Sequence, residues 1–497
     1  MSLFRTKDLG KMLAHAQENE KGLKRTLGAG NLIALGIGAI IGAGLFVRTA
    51  AAAGQDAGPA VTLSFIVAAV GCAFAGLCYA EFAAMIPIAG SAYAYSYVTM
   101  GEMIAWIIGW ALIMEYALGA ATVSIAWSEY LNKLLGGTIP YEWSHSPLES
   151  MTLNGVTKSG IMNIPALFIL LLLTLLLIRG TQESAMVNAV IVFIKVAIVL
   201  VFIFVGWKFI NPANHTPYLI PEGTPGHEGV FKHGWGGVLG GAAIVFFAFI
   251  CFDAVSTAAQ EAKNPARDMP IGILGSLVVC TILYILFGHV LTGVAPYTDF
   301  TDPTKGQEAS VAYAISAYMP GYGWLATLVT VAILAGFSSV ILVMLMGQSR
   351  IFYTMSNDGL IPKAFGEIHP KFKTPYKANI ILFVFVGLFA AFIPGHMAGD
   401  LTSFGTLFAF VLVSLGVWIM RRKNPEMKRP FKTPLVPLVP ILGAVICAGM
   451  IVAIDSRTLK FAFGWMFIGL LVYFLYSRKR SHLHNPGNIL PKASDFQ

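Results

Sequence analysis

The residues with the clearest capacity for chemistry lie inside long apolar segments, where flexible or polar residues are costly. Glycine occupies four of the nine positions from 36 to 44, within the first apolar segment. Glycine weakens a helix interior and lets the backbone approach another group closely. At membrane depth, backbone groups released from a helix need other partners, so broken backbone is expected only where it lines a cavity or binds a ligand. Residues 36–46 therefore predict half of a binding site built from main-chain groups.

A second unusual segment covers residues 245–257, after the glycine-rich stretch 234–241. It is crowded with aromatic residues and then contains Asp253, Ser256 and Thr257. An aspartate that follows a helix break can cap the next half-helix by accepting its first amide hydrogens. The pattern predicts a second break in a membrane helix, with Asp253 in a capping role.

Lys195 is the third candidate, because no polar residue lies within five positions on either side of it. A charge at the centre of a bilayer costs about 2.5–3.5 kcal/mol on insertion scales, so such a residue usually has a role. Lys195 is too far from the ends of its segment for the ammonium to reach the membrane surface. Two readings stay open: a structural ion pair, for which Glu115 is the candidate partner, and a group whose protonation changes during function.

Composition places these residues in an all-α polytopic membrane protein. The chain has 497 residues, of which 56% are hydrophobic and 12% charged, with a mean hydropathy of +0.72. A soluble chain would carry about a quarter charged residues. The five cysteines lie in apolar runs without metal-ligand spacing, so we predict no metal site. Because motifs of an enzyme or of dinucleotide binding are missing, we also predict no cofactor and no catalytic residue. The net charge of +8 reflects basic residues beside membrane spans rather than affinity for nucleic acid.

Twelve apolar spans are predicted in the bilayer of the cell membrane, because runs of about 20 apolar residues recur along the chain. Their approximate bounds are 29–55, 60–83, 103–132, 161–179, 185–206, 238–260, 270–293, 323–353, 377–394, 400–420, 435–454 and 461–477. If the N-terminus is cytoplasmic, 24 Lys and Arg residues lie on the inner side and 8 on the outer side. This bias predicts that both termini are cytoplasmic.

The two interrupted segments divide the chain into comparable halves. We predict six regions: a cytoplasmic N-terminal segment (1–28), spans 1–5 (29–206), an extracellular loop (207–237), spans 6–10 (238–420), spans 11–12 (421–478) and a cytoplasmic tail (479–497). The second break lies five spans after the first. Because five is an odd number, a repeat of the first half would run in the opposite direction through the membrane. Paired interrupted helices in two halves indicate a midplane site of a transporter.

Several motifs together resemble one family. They lie at residues 36–46, 79–95, 101–102, 109–110, 115–116, 246–272 and 349–375. The combination resembles the amino acid–polyamine–organocation superfamily and, within it, the cationic amino acid transporter family in its shorter, bacterial form. The resemblance covers about residues 24–478, which is almost the whole chain.

The resemblance implies a fold of two inverted five-span repeats with spans 1 and 6 unwound at mid-membrane, followed by two further spans. It implies a secondary amino acid transporter that works by alternating access. It places the substrate carboxylate on main-chain amides of Gly42, Ala43 and Gly44. It places the α-amino group on carbonyl groups drawn from Ile40, Ile41, Phe247, Ala248 and Ile250, and it makes Phe249 or Phe252 an aromatic lid.

Coupling and specificity are further expectations. The resemblance implies that Lys195 stands where sodium-coupled relatives hold a cation, so that H⁺ moves with the substrate and Glu115 tunes the lysine. Side-chain specificity is expected from Gly119, Thr122, Ser338 and Met344. This set favours neutral amino acids slightly, and cationic substrates stay open.

An enzyme, a channel, an exchanger and a sensor are the alternatives to transport with proton symport. No motif of a membrane-embedded enzyme is present, and a channel would need neither paired breaks nor a buried lysine. An amino acid exchanger and a transport-dead amino acid sensor of the same fold stay open. A small single-span accessory protein is a further open partner.

Overall fold

The computed structural model describes residues 5–7, 27–42, 44–86, 91–153, 156–179, 184–257, 259, 262–302, 310–372 and 374–483. Within them the chain is mostly helical. The α-helices are α1 (Ala29–Ile40), α2 (Thr49–Ala52), α3 (Val61–Met85), α4 (Ser91–Thr99), α5 (Glu102–Leu134), α6 (Ile164–Arg179), α7 (Ser184–Gly206), α8 (Gly234–Val245), α9 (Ala254–Thr257), α10 (Pro265–Val294), α11 (Ser310–Tyr318), α12 (Gly323–Asn357), α13 (Tyr376–Phe392), α14 (Gly395–Lys423), α15 (Leu438–Val452), α16 (Ser456–Val472) and α17 (Arg478–Arg480).

Shorter elements connect these helices. Wider π-helical turns cover Gly44–Arg48, Ala53–Ala57 and Tyr473–Ser477, and 3₁₀ turns cover Gly58–Ala60, Tyr141–Trp143, Trp207–Phe209, Pro212–His215, Phe246–Phe249, Tyr297–Thr301 and Lys363–Gly366. One antiparallel hairpin, β1 (Ser150–Leu153) and β2 (Val156–Ser159), pairs Ser150 with Ser159 in the loop after α5.

Apolar helices make up most of the described chain, and many of them are long enough to cross a bilayer. Seven stretches meet this criterion: Gly44–Met85, Glu102–Leu134, Val190–Phe209, Pro265–Val294, Gly323–Asn357, Gly395–Lys423 and Ser456–Arg480. Five shorter apolar helices are Ala29–Ile40, Ile164–Arg179, Gly234–Phe249, Tyr376–Phe392 and Leu438–Val452. The predicted membrane class is thus confirmed, and the two shorter helices at Ala29–Ile40 and Gly234–Phe249 are short because each ends at a break.

The helices differ in how they share the protein interior. The central helix α5 is buried along most of its length, between α12 and α14. By contrast, Phe193 and Phe204 of α7 are 75% and 74% exposed. Large apolar side chains on such an outward surface are stable in contact with lipid, so α7 lies at the periphery of the bundle.

The two ends of the bundle carry different parts of the chain. At one end, here called the inner end, the amide of Glu102 donates to the carbonyl of Arg5 at 3.0 Å, and Arg5 donates to the carbonyl of Leu483 at 3.1 Å. The N- and C-terminal parts of the chain therefore meet at the same end. The other end, here called the outer end, carries the β-hairpin and the segment 207–237.

Candidate functional site

The first predicted break lies directly after α1. The helix ends at Ile40, and Ile41 has an extended backbone with ψ of 108°. The next helical turn begins at Gly44, and the Gly42 carbonyl accepts the amide of Leu45 at 3.1 Å. The last carbonyl groups of α1 are thus separated from the amides that would continue the helix. Ala43, predicted to bind the substrate carboxylate, lies outside the described residues.

The second break follows α8. The 3₁₀ turn Phe246–Phe249 ends at Ile250, whose ψ of 151° is extended, and Cys251 has a φ of 74°. A left-handed backbone at a non-glycine residue is uncommon and often marks a functional constraint. The chain resumes a helix only at Ala254, so the turn Phe246–Phe249 ends inside the protein, and its last carbonyl groups have no continuing helix to pair with.

The two breaks are in contact with each other. A β-carbon added at Gly44 would lie 2.2 Å from the Ala248 α-carbon, so only glycine permits this approach. The hydroxyl of Tyr284 on α10 lies 3.1 Å from the Ile40 carbonyl oxygen and 2.9 Å from that of Ala248. One phenol therefore bridges the ends of both broken helices. Sequence reasoning missed Tyr284, because nothing in its neighbourhood distinguishes it from an aromatic residue that only packs.

Lys195 contacts the first break. Its side chain is 2% exposed, and its ammonium donates to the carbonyl oxygens of Gly38 at 2.9 Å and Ile41 at 3.1 Å. A positive charge at the C-terminal end of a helix is favoured by the helix dipole and by the free carbonyl groups there. Gly336 on α12 allows the lysine stem to pass, because a β-carbon there would lie 3.0 Å from the Lys195 ε-carbon.

Glu115 lies in a different environment from Lys195. No ion pair between them occurs among the described residues, and Glu115 instead faces Asp253. Both oxygens of the Glu115 carboxyl are buried and have no hydrogen-bond partner in the described part of the chain. The nearby Thr406 hydroxyl donates to the Thr402 carbonyl at 3.2 Å. A buried carboxylate of this kind is costly unless it gains a proton or a partner.

Asp253 lies at the foot of the second break. Its carboxylate accepts the Ser91 hydroxyl at 3.0 Å and the Tyr116 hydroxyl at 3.4 Å, and its carbonyl accepts the Ser256 amide at 2.8 Å. These contacts join the break to α4 and α5. The predicted lid residues Phe249 and Phe252 are both buried, with Phe249 edge-on to Tyr284.

The residues predicted to set specificity are dispersed. Gly119 contacts Met344, since a β-carbon at Gly119 would lie 2.8 Å from the Met344 sulfur. The Ser338 hydroxyl donates a hydrogen bond to the Leu334 carbonyl at 2.9 Å, within α12. Thr122 lies further out and lines a cavity at the outer end.

The outer cavity has a volume of about 390 Å³. Its lining includes Arg48, Thr122, Glu129, Tyr141, His145 and His396. Between this cavity and the breaks, Arg48 forms an ion pair with Asp400 of α14, and the guanidinium carbon lies 5.9 Å from the Phe247 ring centre. Arg48 is 4% exposed and the Asp400 side chain 18%, so the pair is mostly buried. Sequence reasoning missed this arginine, because its partner Asp400 is distant along the chain.

The inner end is held by a second set of charges. Lys7 forms an ion pair with Asp358, whose carboxylate also accepts the Tyr93 hydroxyl at 2.7 Å. The Lys7 ammonium also lies 4.5 Å above the Tyr97 ring, a favourable cation–π distance. Ionic contacts thus lie on both sides of the breaks.

Comparison with known proteins finds one family and several transporters that are similar to this chain. A family model described as amino acid permease matches residues 27–475. The branched-chain amino acid permease BcaP of Bacillus subtilis (strain 168) is 42% identical over 487 residues, which cover 97% of this chain and 99% of the relative. The methylthioribose transporter of the same strain is 41% identical over 485 residues, covering 97% and 99%. The vacuolar cationic amino acid transporter 4 of Arabidopsis thaliana is 34% identical over 428 residues, covering 86% and 68%.

Proposed function

Because the chain belongs to the amino acid permease family, as its sequence motifs indicated, we propose that it carries amino acids across the cell membrane by alternating access. We propose twelve spans, of which the first ten form two inverted repeats. In this arrangement α1 and α8 are matching first halves of spans 1 and 6. Their interruption at corresponding places, and the contact between Gly44 and Ala248, support a midplane site.

The observation that carries this proposal is the convergence of two helix ends on Tyr284. The carbonyl groups of Ile40 and Ala248 lie within reach of the same hydroxyl. An ammonium group has three donors, so a substrate amine can share these acceptors with Tyr284. The amides that follow the first break, at residues 42–44, would then hold the substrate carboxylate, since a helix N-terminus favours an anion.

Proton coupling through Lys195 is the second part of the proposal. When charged, Lys195 holds the end of α1 through Gly38 and Ile41. A neutral amine donates more weakly, so loss of the proton would loosen α1 and allow the inner end to open. Glu115 is proposed as a second proton-carrying group, because it is buried without a hydrogen-bond partner among the described residues and faces Asp253.

The preferred substrate class is proposed to be neutral, apolar amino acids. The side chains around the two breaks are largely apolar, including Phe247, Phe249 and Val340. A relative named for branched-chain amino acids agrees with this preference. A cationic side chain would need a carboxylate. Asp253 already accepts hydroxyl groups from Ser91 and Tyr116, and Glu115 is proposed to carry a proton.

Uptake by the purified protein in liposomes tests the proposal. The labelled panel would contain leucine, isoleucine, valine, alanine, lysine, arginine and methylthioribose, each with and without an inward proton gradient. We expect the gradient to drive accumulation of the branched-chain amino acids above equilibrium. Accumulation of methylthioribose alone would overturn the proposed substrate class.

Counterflow separates the remaining alternatives. An exchanger would take up label only when the liposomes contain unlabelled substrate. A sensor would bind substrate without either uptake or counterflow. Either result would overturn proton symport.

A further inference from the structure

A narrow apolar groove of about 310 Å³ opens sideways from the bundle at its outer half. It lies between α5, α13, α14 and α16. Its floor is formed by Met114, Leu118 and Leu401, which are 3%, 3% and 5% exposed. Its rim is formed by Phe461 and Ile468, which are 57% and 50% exposed. The groove is therefore deep and reaches the surface that faces lipid.

The groove offers almost nothing to water. Among the described residues that line it, only Trp465 has a hydrogen-bonding side chain, and its indole donates to the Trp110 carbonyl at 3.3 Å. A buried water needs several polar partners, and an apolar cavity without them stays dry. The surface is thus suited to an apolar chain.

The groove suits a hydrocarbon chain. An acyl chain is much thinner than a helix, which is about 10 Å across. Such a chain enters from the bilayer without unfolding anything.

Positive charge lies at the outer mouth of the groove. Arg457 is four residues before Phe461, and Lys460 is four residues before Gly464, so each lies one turn above a lining residue on the same helix face. Both side chains are exposed, and within the described chain neither forms an ion pair. The nearby Asp455 carboxylate accepts the amides of Arg457 and Thr458 at 2.9 and 3.3 Å, which commits it to capping α16.

Arg457 and Lys460 lie on the predicted outer side, where basic residues are rare in this chain. Only 8 of the 33 Lys and Arg residues fall on the predicted outer side, and two of them occupy this one helical turn. The positive-inside bias disfavours such a pair unless it has a partner. A phosphate group at the membrane surface is a partner of the right charge and depth.

We propose that this groove is a binding site for an anionic phospholipid, with one acyl chain between α5 and α16 and the phosphate held by Arg457 and Lys460. The chain would cover Met114 and Leu118 on α5, the helix that also carries Glu115. The bound lipid would thus be a fixed part of the outer half of the bundle. The inference is independent of which substrate the protein carries.

Two variants with matched controls test the site. Gly464→Leu fills the groove, because a β-carbon at Gly464 has no atom within 4 Å. Gly449→Leu on α15 is its control, since that position is equally open and lies outside the groove. Arg457→Gln with Lys460→Gln removes the charge, and Lys133→Gln removes another exposed cation at the outer end of α5.

The measurement is native mass spectrometry of each purified full-length variant after incubation with mixed micelles that contain phosphatidylglycerol or phosphatidylcholine. We expect the wild-type protein and both controls to retain phosphatidylglycerol. Gly464→Leu should lose both lipids. Each basic residue removed should weaken phosphatidylglycerol retention about fivefold, the effect of one basic residue near an anionic surface, with little change for phosphatidylcholine.

Three results would overturn the proposal. Equal retention of phosphatidylglycerol by wild type and Gly464→Leu would show that the groove holds no acyl chain. Equal retention of the two lipids by the wild-type protein would show that the mouth does not select charge. A wild-type dimer mass that Gly464→Leu converts to a monomer would assign the groove to a second copy of the chain.

Discussion

Replacing Lys195 with methionine removes the ammonium while keeping an unbranched stem of similar length. In the wild-type protein this ammonium donates to the carbonyl oxygens of Gly38 and Ile41 at 2.9 and 3.1 Å. The variant leaves the residues of the two breaks and Tyr284 unchanged. We therefore expect it to bind substrate and to perform counterflow, while it loses accumulation driven by a proton gradient.

The size of the effect follows from the two contacts. A hydrogen bond that involves a charged group contributes about 1.5–3 kcal/mol, so two such bonds hold α1 with about 3–6 kcal/mol. Each 1.4 kcal/mol changes an equilibrium tenfold, so the balance between held and released α1 should shift by roughly a hundredfold to ten-thousandfold. A shift of this size leaves protonation unable to control the position of α1.

The assay compares two readouts on the same proteoliposomes. Uptake of labelled substrate is measured with an imposed inward proton gradient, and counterflow is measured without one. Lys208→Met is the matched control, because Lys208 is an exposed lysine in the loop after α7. If Lys195→Met accumulates substrate under the gradient as strongly as the control does, Lys195 does not couple the proton and the reasoning fails.

Three further predictions concern the breaks and the outer end. Tyr284→Phe should raise the Kd of every substrate about two- to twelvefold, since the phenol no longer bonds the Ile40 and Ala248 carbonyl groups and one neutral hydrogen bond is lost. A change in preference alone would contradict the bridging role. Gly44→Leu should weaken binding of all substrates alike in competition assays, because the new side chain collides with Ala248, whereas a selective effect would refute main-chain recognition. Arg48→Gln should increase labelling, by a membrane-impermeant reagent, of a cysteine placed at the breaks, inward of the Arg48–Asp400 pair, as should Asp400→Asn. Either change breaks the ion pair that lies between the outer cavity and the breaks. Unchanged labelling in both variants would show that the pair is no barrier.

The sequence determined the class of the protein and the places where its membrane helices break. Apolar length and charge content are local properties that the bilayer itself selects, so the membrane helices could be predicted. The glycines of residues 36–44 and the polar end of residues 245–257 marked the breaks for the same reason. The family followed from these motifs in their order along the chain.

The partners of the functional side chains were decided only by the tertiary structure. Lys195 meets Gly38 across 157 positions, Tyr284 meets Ile40 across 244, and Arg48 meets Asp400 across 352. The sequence predicted Glu115 as an ion-pair partner for Lys195, because a buried ammonium is usually paired with a carboxylate. The structure instead turns Lys195 toward free carbonyl groups. Hydrophobic periodicity tells which segments are helices, but the rotation and packing of those helices decide which polar groups face each other across the core.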